Sequence, residues 1–459
     1  MRTRLCIAAA AAVAALTFAG GASPARPAPA PQSVRAVFFA NWDRYARGYL
    51  VNQIPADKLN VIDYAFATVT PDGRCGLTDS WSDYQAPTWS GSDSVNGVAD
   101  DPSNPNQHLF GNFNQLLELK AAHPNLRVEM SIGGWTGSAY FSDAAATAVS
   151  RQAFVASCID LIIDGNLPAP PDEWPSQAGG PGAAAGLFDG INIDWEYPGI
   201  DPGNGAHHSP ADVANATALL QEFRRQLDAA GAAAGKHYTL TVDIPGGNVH
   251  STGSWQLPQV ARTVDWIDLM AFDYHGSWDA LTDFNSPFGL DPLEPAVGGG
   301  AIQWTWNTAG SALYFLLNGV PHDKLVVGIP FYGKEYVGVA ATNHGLFQPH
   351  GPAPSNDSPT YHDLVDTGLA DANLTPIGPT AVNSAGQGVH GFTRSYDLLA
   401  GAPSLYNPAL NGGTFISYVD PAAVRERIAL VNALGLRGAF AWEVSNDDNA
   451  HDLVNAMTH

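Results

Sequence analysis

The chain has 459 residues, of which 45% are hydrophobic and 14% charged, enough apolar material for a large buried core. Its formal net charge of −23 excludes nucleic acid and anionic surfaces as partners, because those partners need clustered Lys and Arg. The acidity suits a neutral or cationic ligand, and it suits equally an acidic exported protein with no charged partner.

Residues 1–25 have the features of a signal peptide: Arg2 and Arg4, then the apolar run "LCIAAAAAVAALTFAG", then small residues. We therefore expect a secreted, extracellular protein, with an uncleaved N-terminal anchor as the alternative. The run is too short and Ala-rich for a convincing membrane span, so no membrane partner is expected. Residues 26–33, "RPAPAPQS", predict an extended linker before a folded part of residues 34–459.

Two cysteines, Cys75 and Cys158, lie outside the predicted signal peptide. An exported protein permits a disulfide between them. Two free buried thiols are the alternative, because the sequence does not supply the geometry that a bridge requires.

Short apolar runs alternate with helical patterns along the rest of the chain. Eight runs predict β-strands, at residues 34–40, 60–69, 126–132, 190–193, 238–244, 265–272, 324–331 and 438–442. Helical patterns between them include residues 114–123, 151–164, 211–231 and 423–435. Near-continuous apolar strands separated by helices predict a parallel α/β barrel, although a doubly wound open sheet gives a similar pattern.

Two long segments interrupt the alternation. Residues 76–110, rich in Ser, Asp, Pro and aromatic residues, follow the second predicted strand. Residues 333–412 separate the seventh strand from the helix before the eighth and are too long for a plain loop. They predict a compact inserted subdomain.

The stretch "LFDGINIDWEYPG" at residues 187–199 carries a row of polar side chains. Strand alternation places Asn192, Asp194 and Glu196 on one face. Such a row is costly inside a packed barrel unless its members are paired or functional. Glu196 falls at the carboxyl end of the strand, where barrel enzymes place catalytic groups. An edge strand with a solvated polar face is the alternative.

This stretch resembles the D-x-x-D-x-D-x-E signature of family 18 chitinases, with one departure. The segments "SIGGW" (131–135), "LMAFDYHGSW" (269–278) and "AFAWE" (439–443) resemble the family's third, sixth and eighth strands. "VVGIPFYG" and "TFISYVDP" resemble the flanks of the insertion in its longer members. The resemblance spans nearly all of residues 34–450. It implies a TIM (β/α)8 barrel with an inserted α+β subdomain between the seventh and eighth strands.

The resemblance also implies an enzyme that hydrolyses β-1,4-linked N-acetylglucosamine polymers, chitin or chitooligosaccharides, with retention and with the sugar's own acetamido group as nucleophile. Glu196 would be the acid and then the base. Asp194 would orient the acetamido group, and Asp273 would complete the polar contacts around it. Asp189 would support the row, with a purely structural role as the alternative.

Two positions depart from the family pattern. Asn192 stands where the family has an aspartate, and Phe272 stands where it has a tyrosine. With one negative charge removed at position 192, we expect Glu196 and Asp194 to titrate lower than usual and activity to fall off at less alkaline pH. Tyr274 either replaces the missing hydroxyl or faces the helices.

Sugar rings stack on aromatic side chains, and the resemblance implies Trp442 as the floor of the cleft. The other implied substrate-binding residues are Trp135, Met270, Phe272, Tyr197, Tyr332 and Trp278. Phe39 and Trp42, after the first strand, are further candidates, with core packing as the alternative for aromatic residues outside the motifs.

The sequence predicts no cofactor and no metal site, because its histidines do not form a zinc-ligand spacing. His275 is expected to be a hydrogen-bonding residue of the cleft, not a ligand. We expect a monomer. Two alternatives to a chitinase remain: a catalytically weak chitin-binding lectin, against which the retained Glu196 argues, and an endo-β-N-acetylglucosaminidase acting on N-glycans.

Overall fold

The computed structural model describes residues 33–169, 174–247, 253–295 and 303–458. The predicted signal peptide and nearly all of the predicted linker lie outside these ranges. The described strands, in chain order, are β1 Val34–Ala40, β2 Val61–Val69, β3 Cys75–Leu77, β4 Arg127–Gly133, β5 Gly190–Asp194, β6 Thr239–Pro245, β7 Trp266–Met270, β8 Leu325–Pro330, β9 Lys334–Val337, β10 Thr393–Asp397, β11 Ala402–Asn407, β12 Thr414–Ser417 and β13 Gly438–Trp442.

Eight parallel strands close into a barrel. The order is β1-β13-β8-β7-β6-β5-β4-β2, and a β1–β2 pairing completes the ring, while β3 adds to β2 antiparallel. The predicted TIM barrel is therefore confirmed, and the open doubly wound sheet is excluded. Each predicted barrel strand agrees with the structure to within two residues at either end.

The described α-helices are α1 Gly111–Ala122, α2 Gly134–Gly137, α3 Phe141–Ala145, α4 Ala148–Cys158, α5 Asp212–Ala234, α6 Leu257–Thr263, α7 Thr308–Leu317, α8 Pro421–Leu434 and α9 Asp452–Ala456. Local sequence explains where α8 begins and ends. The Asp420 side chain accepts the Ala423 amide at 2.9 Å, Pro421 occupies the first helical position, and Gly435 ends the helix at φ +63°. No described helix is both long and apolar enough to cross a lipid bilayer.

A second sheet lies between the seventh and eighth barrel strands. Strands β9, β12, β11 and β10 are all paired antiparallel, in that spatial order. This sheet accounts for the long interruption in the sequence pattern. The bounds 333–412 remain a prediction, but strand β12 at Thr414–Ser417 belongs to the same sheet and lies beyond them.

The barrel interior is apolar on one side and polar on the other. Along the strands, side chains that point into the barrel alternate with those of the main core. The apolar ones among them form a separate cluster: Val34, Ala36, Phe38, Ala40, Val61, Ala65, Phe66, Trp266, Val326 and Phe440. On strands β2 and β4 to β7, the inward positions instead carry Asp63, Glu129, Asn192, Asp243 and Asp268, each at most 2% exposed.

Threonine hydroxyl groups on β6 supply hydrogen bonds to part of this polar interior. The Thr239 and Thr241 hydroxyls donate to Glu129 at 2.6 and 3.0 Å. Burial nevertheless disfavours ionisation and raises the pKa of Glu129 to about 7. Burial likewise raises the pKa of Asp63 and of Asp268, and neighbouring carboxyl charges add to both shifts.

The two cysteines lie side by side, Cys75 on β3 and Cys158 at the end of α4. The Cys75 amide donates to Ser157 Oγ at 2.9 Å, which holds the strand against the helix. Burial raises the pKa of the Cys158 thiol, and its contact with Cys75 adds to the rise. Both are free thiols in this structure, so the disulfide remains a prediction that their proximity favours.

We predict that Glu129→Gln flattens the dependence of stability on pH. An acid whose pKa is higher in the folded state binds its proton more tightly there, so stability is highest below the unfolded pKa and falls as pH rises towards the folded value. For Glu129 that window runs from its ordinary pKa near 4.5 to about 7.

Urea unfolding at pH 5 and pH 8 measures the effect, and the loss of stability between them should shrink by roughly 2–3 kcal/mol in Glu129→Gln. Glu222→Gln is the control, because Arg225 lowers the pKa of Glu222 and keeps its titration below this range. An equal loss of stability between pH 5 and pH 8 in wild type and Glu129→Gln would show that the Glu129 carboxyl is not the source of the pH dependence.

Candidate active site

Strand β5 delivers the predicted row to the carboxyl end of the barrel. Asn192 and Asp194 are buried in its interior, and Glu196 follows the strand at the floor of a cleft. Asp189 does not join them, which corrects its placement among the catalytic residues. It lies before the strand, outside the cleft lining, where Lys120 and Lys236 pair with it at 2.7 and 3.5 Å.

Asn192 connects three strands through its amide. Its oxygen accepts the Ser131 hydroxyl at 2.7 Å, and its Nδ2 donates to Thr241 Oγ1 at 3.0 Å and to Asp243 Oδ1 at 3.2 Å. Asp243 also lines the cleft. A carboxyl group therefore lies one strand away, on β6, and burial raises its pKa.

Asp194 and Glu196 have shifted proton affinities. Burial raises the pKa of Asp194, and the charges of Glu196 and Asp243 add to the shift. Burial also raises the pKa of Glu196 to about 7, opposed by a hydrogen bond from Tyr197 and reinforced by the charge of Asp273. Glu196 therefore keeps its proton into the neutral range. The uncharged Asn192 predicts that both groups titrate below the family's usual values, and this stays a prediction. Asp243 acts against it, because its charge helps to raise the pKa of Asp194.

The segment after β4 supports the backbone of Glu196. Gly133 has φ +119°, and a Cβ there would lie 2.1 Å from the Asp194 carbonyl oxygen, so no other residue fits this close approach. Ser138 Oγ accepts the Glu196 amide at 3.0 Å and lies 3.2 Å from the Asp194 carbonyl, to which it can donate. Gly133 and Ser138 thus hold the end of β5 in place.

Asp273 follows β7 and faces Glu196 from across the cleft. It adopts φ +54°, and its amide donates to Asn285 Oδ1 at 2.9 Å. Its carboxylate accepts the Tyr332 hydroxyl at 2.8 Å and pairs with Lys334 at 2.9 Å. Lys334 is the first residue of β9, so the second sheet contacts the cleft directly.

The cleft has a volume of about 700 Å3 and is lined mainly by aromatic and apolar side chains. It contains seven predicted substrate-binding residues: Trp442, Trp135, Met270, Phe272, Tyr197, Tyr332 and Trp278. Trp442 stacks on Phe66, with ring centroids 5.7 Å apart. Trp135 and Trp278 are 49% and 59% exposed, so part of each ring is open to a ligand.

The prediction for Phe39 is wrong. It is fully buried and packs on Tyr64 in the main core, whereas its neighbour Phe38 lines the cleft. Along strand β1, Phe38 points into the barrel and Phe39 points into the main core. Trp42, the companion candidate, does line the cleft.

Phe272 lies in the cleft, but Tyr274 does not replace the missing hydroxyl. The Tyr274 hydroxyl lies 2.6 Å from Ser311 Oγ on helix α7 and 3.3 Å from the Asn307 carbonyl. It faces the helices, which decides between the two alternatives that the sequence left open.

Sequence reasoning missed Asp243, Phe66, Trp306 and Lys334, all of which line the cleft. The alternation of "YTLTVDI" places Thr239, Thr241 and Asp243 on one face, the same signal that revealed the row on β5. Lys334 gave no such signal, because its contacts depend on how the second sheet packs.

Together, the parallel barrel and the carboxylic acids at the floor of an aromatic cleft define a glycoside-hydrolase type of site. The model of "Glycosyl hydrolases family 18" matches residues 34–447. The chain belongs to glycosyl hydrolase family 18, as its motifs indicated.

Relatives of known name agree with this assignment. The chain is 33% identical over 431 residues to "Chitinase A1" of Niallia circulans and 31% identical over 439 residues to "Chitinase C" of Streptomyces lividans. These alignments cover 90% and 94% of this chain but only 56% and 60% of the relatives, so the chain spans less than two thirds of their length.

The fold is also similar to that of the catalytic domain of psychrophilic chitinase B from Arthrobacter TAD20. The TM-score is 0.79 at 31% identity, and the alignment covers 93% of this chain and 94% of that one.

We predict that Asp273→Asn shifts the alkaline limb of kcat/KM to lower pH. The negative charge of Asp273 helps to raise the pKa of Glu196, so its removal lowers that pKa and deprotonates the acid sooner. The shift should be roughly one pH unit or less. The pH–rate profile on a soluble chitooligosaccharide measures it, with Asp201→Asn, an exposed carboxylate at the cleft, as the control. An alkaline limb at the same pH in Asp273→Asn and in wild type would rule out an electrostatic effect of Asp273 on the pKa of Glu196.

We predict that Phe272→Tyr raises kcat. A hydroxyl on this cleft-lining ring would supply a donor that orients the acetamido oxygen for its attack, and a well-oriented reacting group is worth about 10²-fold. Steady-state kinetics measure the gain. Tyr274→Phe, whose hydroxyl is bound to helix α7, should bring no gain. An unchanged kcat in Phe272→Tyr would show that the ring does not face the reacting group.

Proposed function

We propose that this protein is a secreted chitinase that hydrolyses β-1,4-linked N-acetylglucosamine polymers, with Glu196 as acid and then base. One observation carries the proposal: Glu196, with a pKa of about 7, lies beside the buried Asp194 at the floor of a cleft lined by tryptophans. Export is inferred from the sequence of residues 1–25 alone.

The protonated Glu196 donates its proton to the glycosidic oxygen as the bond to the leaving sugar breaks. The acetamido oxygen of the retained sugar attacks the anomeric carbon from the opposite face and forms a cyclic oxazolinium ion. The ionised Glu196 then takes a proton from water, which opens the ring with net retention.

Asp194 is the partner of the acetamido group in this scheme. Its Oδ1 has no hydrogen-bond partner among the described residues, so it is available to accept the acetamido N–H. Burial raises its pKa, and positive charge on the sugar would favour its ionisation. Asp243 and Asn192 lie behind it and complete the polar network.

We predict that Glu196→Gln reduces kcat on chitooligosaccharides by about 10²- to 10⁴-fold, because it removes the general acid and base. Binding of the same oligosaccharides, followed by tryptophan fluorescence, should persist. Glu222→Gln, on the outer helix α5, is the matched control and should behave as wild type. Wild-type products resolved by anomer should be β.

Three outcomes would contradict the proposal. Binding without cleavage by wild type at every pH tested would support the lectin alternative. Cleavage of N-glycans but not of chitooligosaccharides would support an endo-β-N-acetylglucosaminidase. Products of inverted configuration would exclude the acetamido-assisted mechanism.

A further inference from the structure

Three side chains converge in the loop between β7 and α7. His275, Asp283 and Glu294 each direct one potential ligand atom into a common space, and these atoms lie within 4.8 Å of one another. His275 Nε2 is 4.0 Å from Asp283 Oδ2 and 3.6 Å from Glu294 Oε1. We call these three residues the β7-loop cluster. It lies outside the lining of the cleft, which corrects the expectation that His275 is a cleft residue.

The cluster is buried and incompletely hydrogen-bonded. The His275 side chain is 1% exposed, and those of Asp283 and Glu294 are 7% exposed. Neither His275 Nε2 nor Glu294 Oε1 has a hydrogen-bond partner in the part of the chain that the structure describes. Buried polar atoms are almost always paired, so two that face each other without a bond indicate a missing partner between them.

The surrounding contacts orient the ligand atoms. His275 Nδ1 lies 3.0 Å from Asp279 Oδ2, which holds the ring and directs Nε2 into the cluster. Asp283 Oδ1 accepts the Phe284 amide at 2.7 Å, which leaves Oδ2 facing His275. A carboxylate behind a histidine is the usual outer support of a metal-bound imidazole.

The charge balance also indicates a cation. Asp279, Asp283 and Glu294 surround a single histidine, and a protonated imidazole offsets only one of these charges. A divalent ion between the carboxylates would balance the remaining charge.

We propose that the β7-loop cluster binds one divalent transition-metal ion of the zinc type through His275 Nε2, Asp283 Oδ2 and Glu294 Oε1. One imidazole nitrogen and two carboxylate oxygens match the ligands of Zn2+, whereas Ca2+ and Mg2+ prefer oxygen alone. The ion has a structural role. It ties together three points of the loop that carries Asp273 and Trp278 into the cleft.

The test is a Zn2+ titration of the full chain after treatment with a chelator, followed by calorimetry and by thermal unfolding without any sugar present. One ion per chain should bind and raise the Tm. Glu294→Gln keeps the side-chain shape and should abolish the Tm increase. Asp279→Asn should weaken binding about 10- to 100-fold, as losses of outer-shell support do. Glu118→Gln, a partly buried carboxylate on helix α1, is the control and should bind as wild type.

Several results would overturn the proposal. One is no Zn2+ binding by wild type, and another is equal affinity in wild type and Glu294→Gln. Preference for Ca2+ or Mg2+ over Zn2+ would contradict the nitrogen-containing ligand set. Because the readouts are metal content and Tm, they are independent of whether the protein cleaves chitin.

Discussion

The burial of carboxylic acids inside the barrel is the constraint on which the site depends. Asp63, Glu129, Asp243 and Asp268 occupy inward positions where a TIM barrel usually has branched apolar side chains. Such groups are tolerated only when they are hydrogen-bonded or neutral. The threonine hydroxyls of β6 supply hydrogen bonds, and raised pKa values supply neutrality. The same surroundings keep Glu196 protonated in the neutral range, which general-acid catalysis requires.

The position of one carboxyl group distinguishes this interior from the family signature. An aspartate at position 192 would share a proton with Asp194 along one strand. Here Asn192 donates to Asp243 on the neighbouring strand, and Asp243 acts electrostatically on Asp194. The network keeps a carboxyl group near Asp194, but on the neighbouring strand β6. The carboxyl group that Asn192 lacks thus has a counterpart across the sheet.

Much of this architecture could be predicted from the sequence, because strand alternation is a local property. The barrel strands and the row Asn192, Asp194 and Glu196 follow from period-two patterns. Applied to β1, the same rule separates Phe38 from Phe39, which was proposed for the cleft only from its place near the end of the strand. Asp189 was grouped with the catalytic residues because the family motif begins before the strand. Residue 189 lies at the opposite end of the barrel from Glu196. The contacts of Lys334 and Tyr274 depend on how separate segments pack, and no local pattern determines that.

The loop after β7 shows why cleft geometry is less predictable than strand geometry. On its cleft side, Asp273 is held by Tyr332 and Lys334, two residues that flank the start of the second sheet. Lys334 also lies 5.2 Å from the ring centroid of Trp278, so one cation positions both an acidic and an aromatic side chain of the loop. On its buried side, the loop is anchored through His275 and its carboxylates. The loop conformation is therefore fixed by partners distant in sequence, and the inserted sheet contributes to the cleft through Lys334, which constrains Asp273.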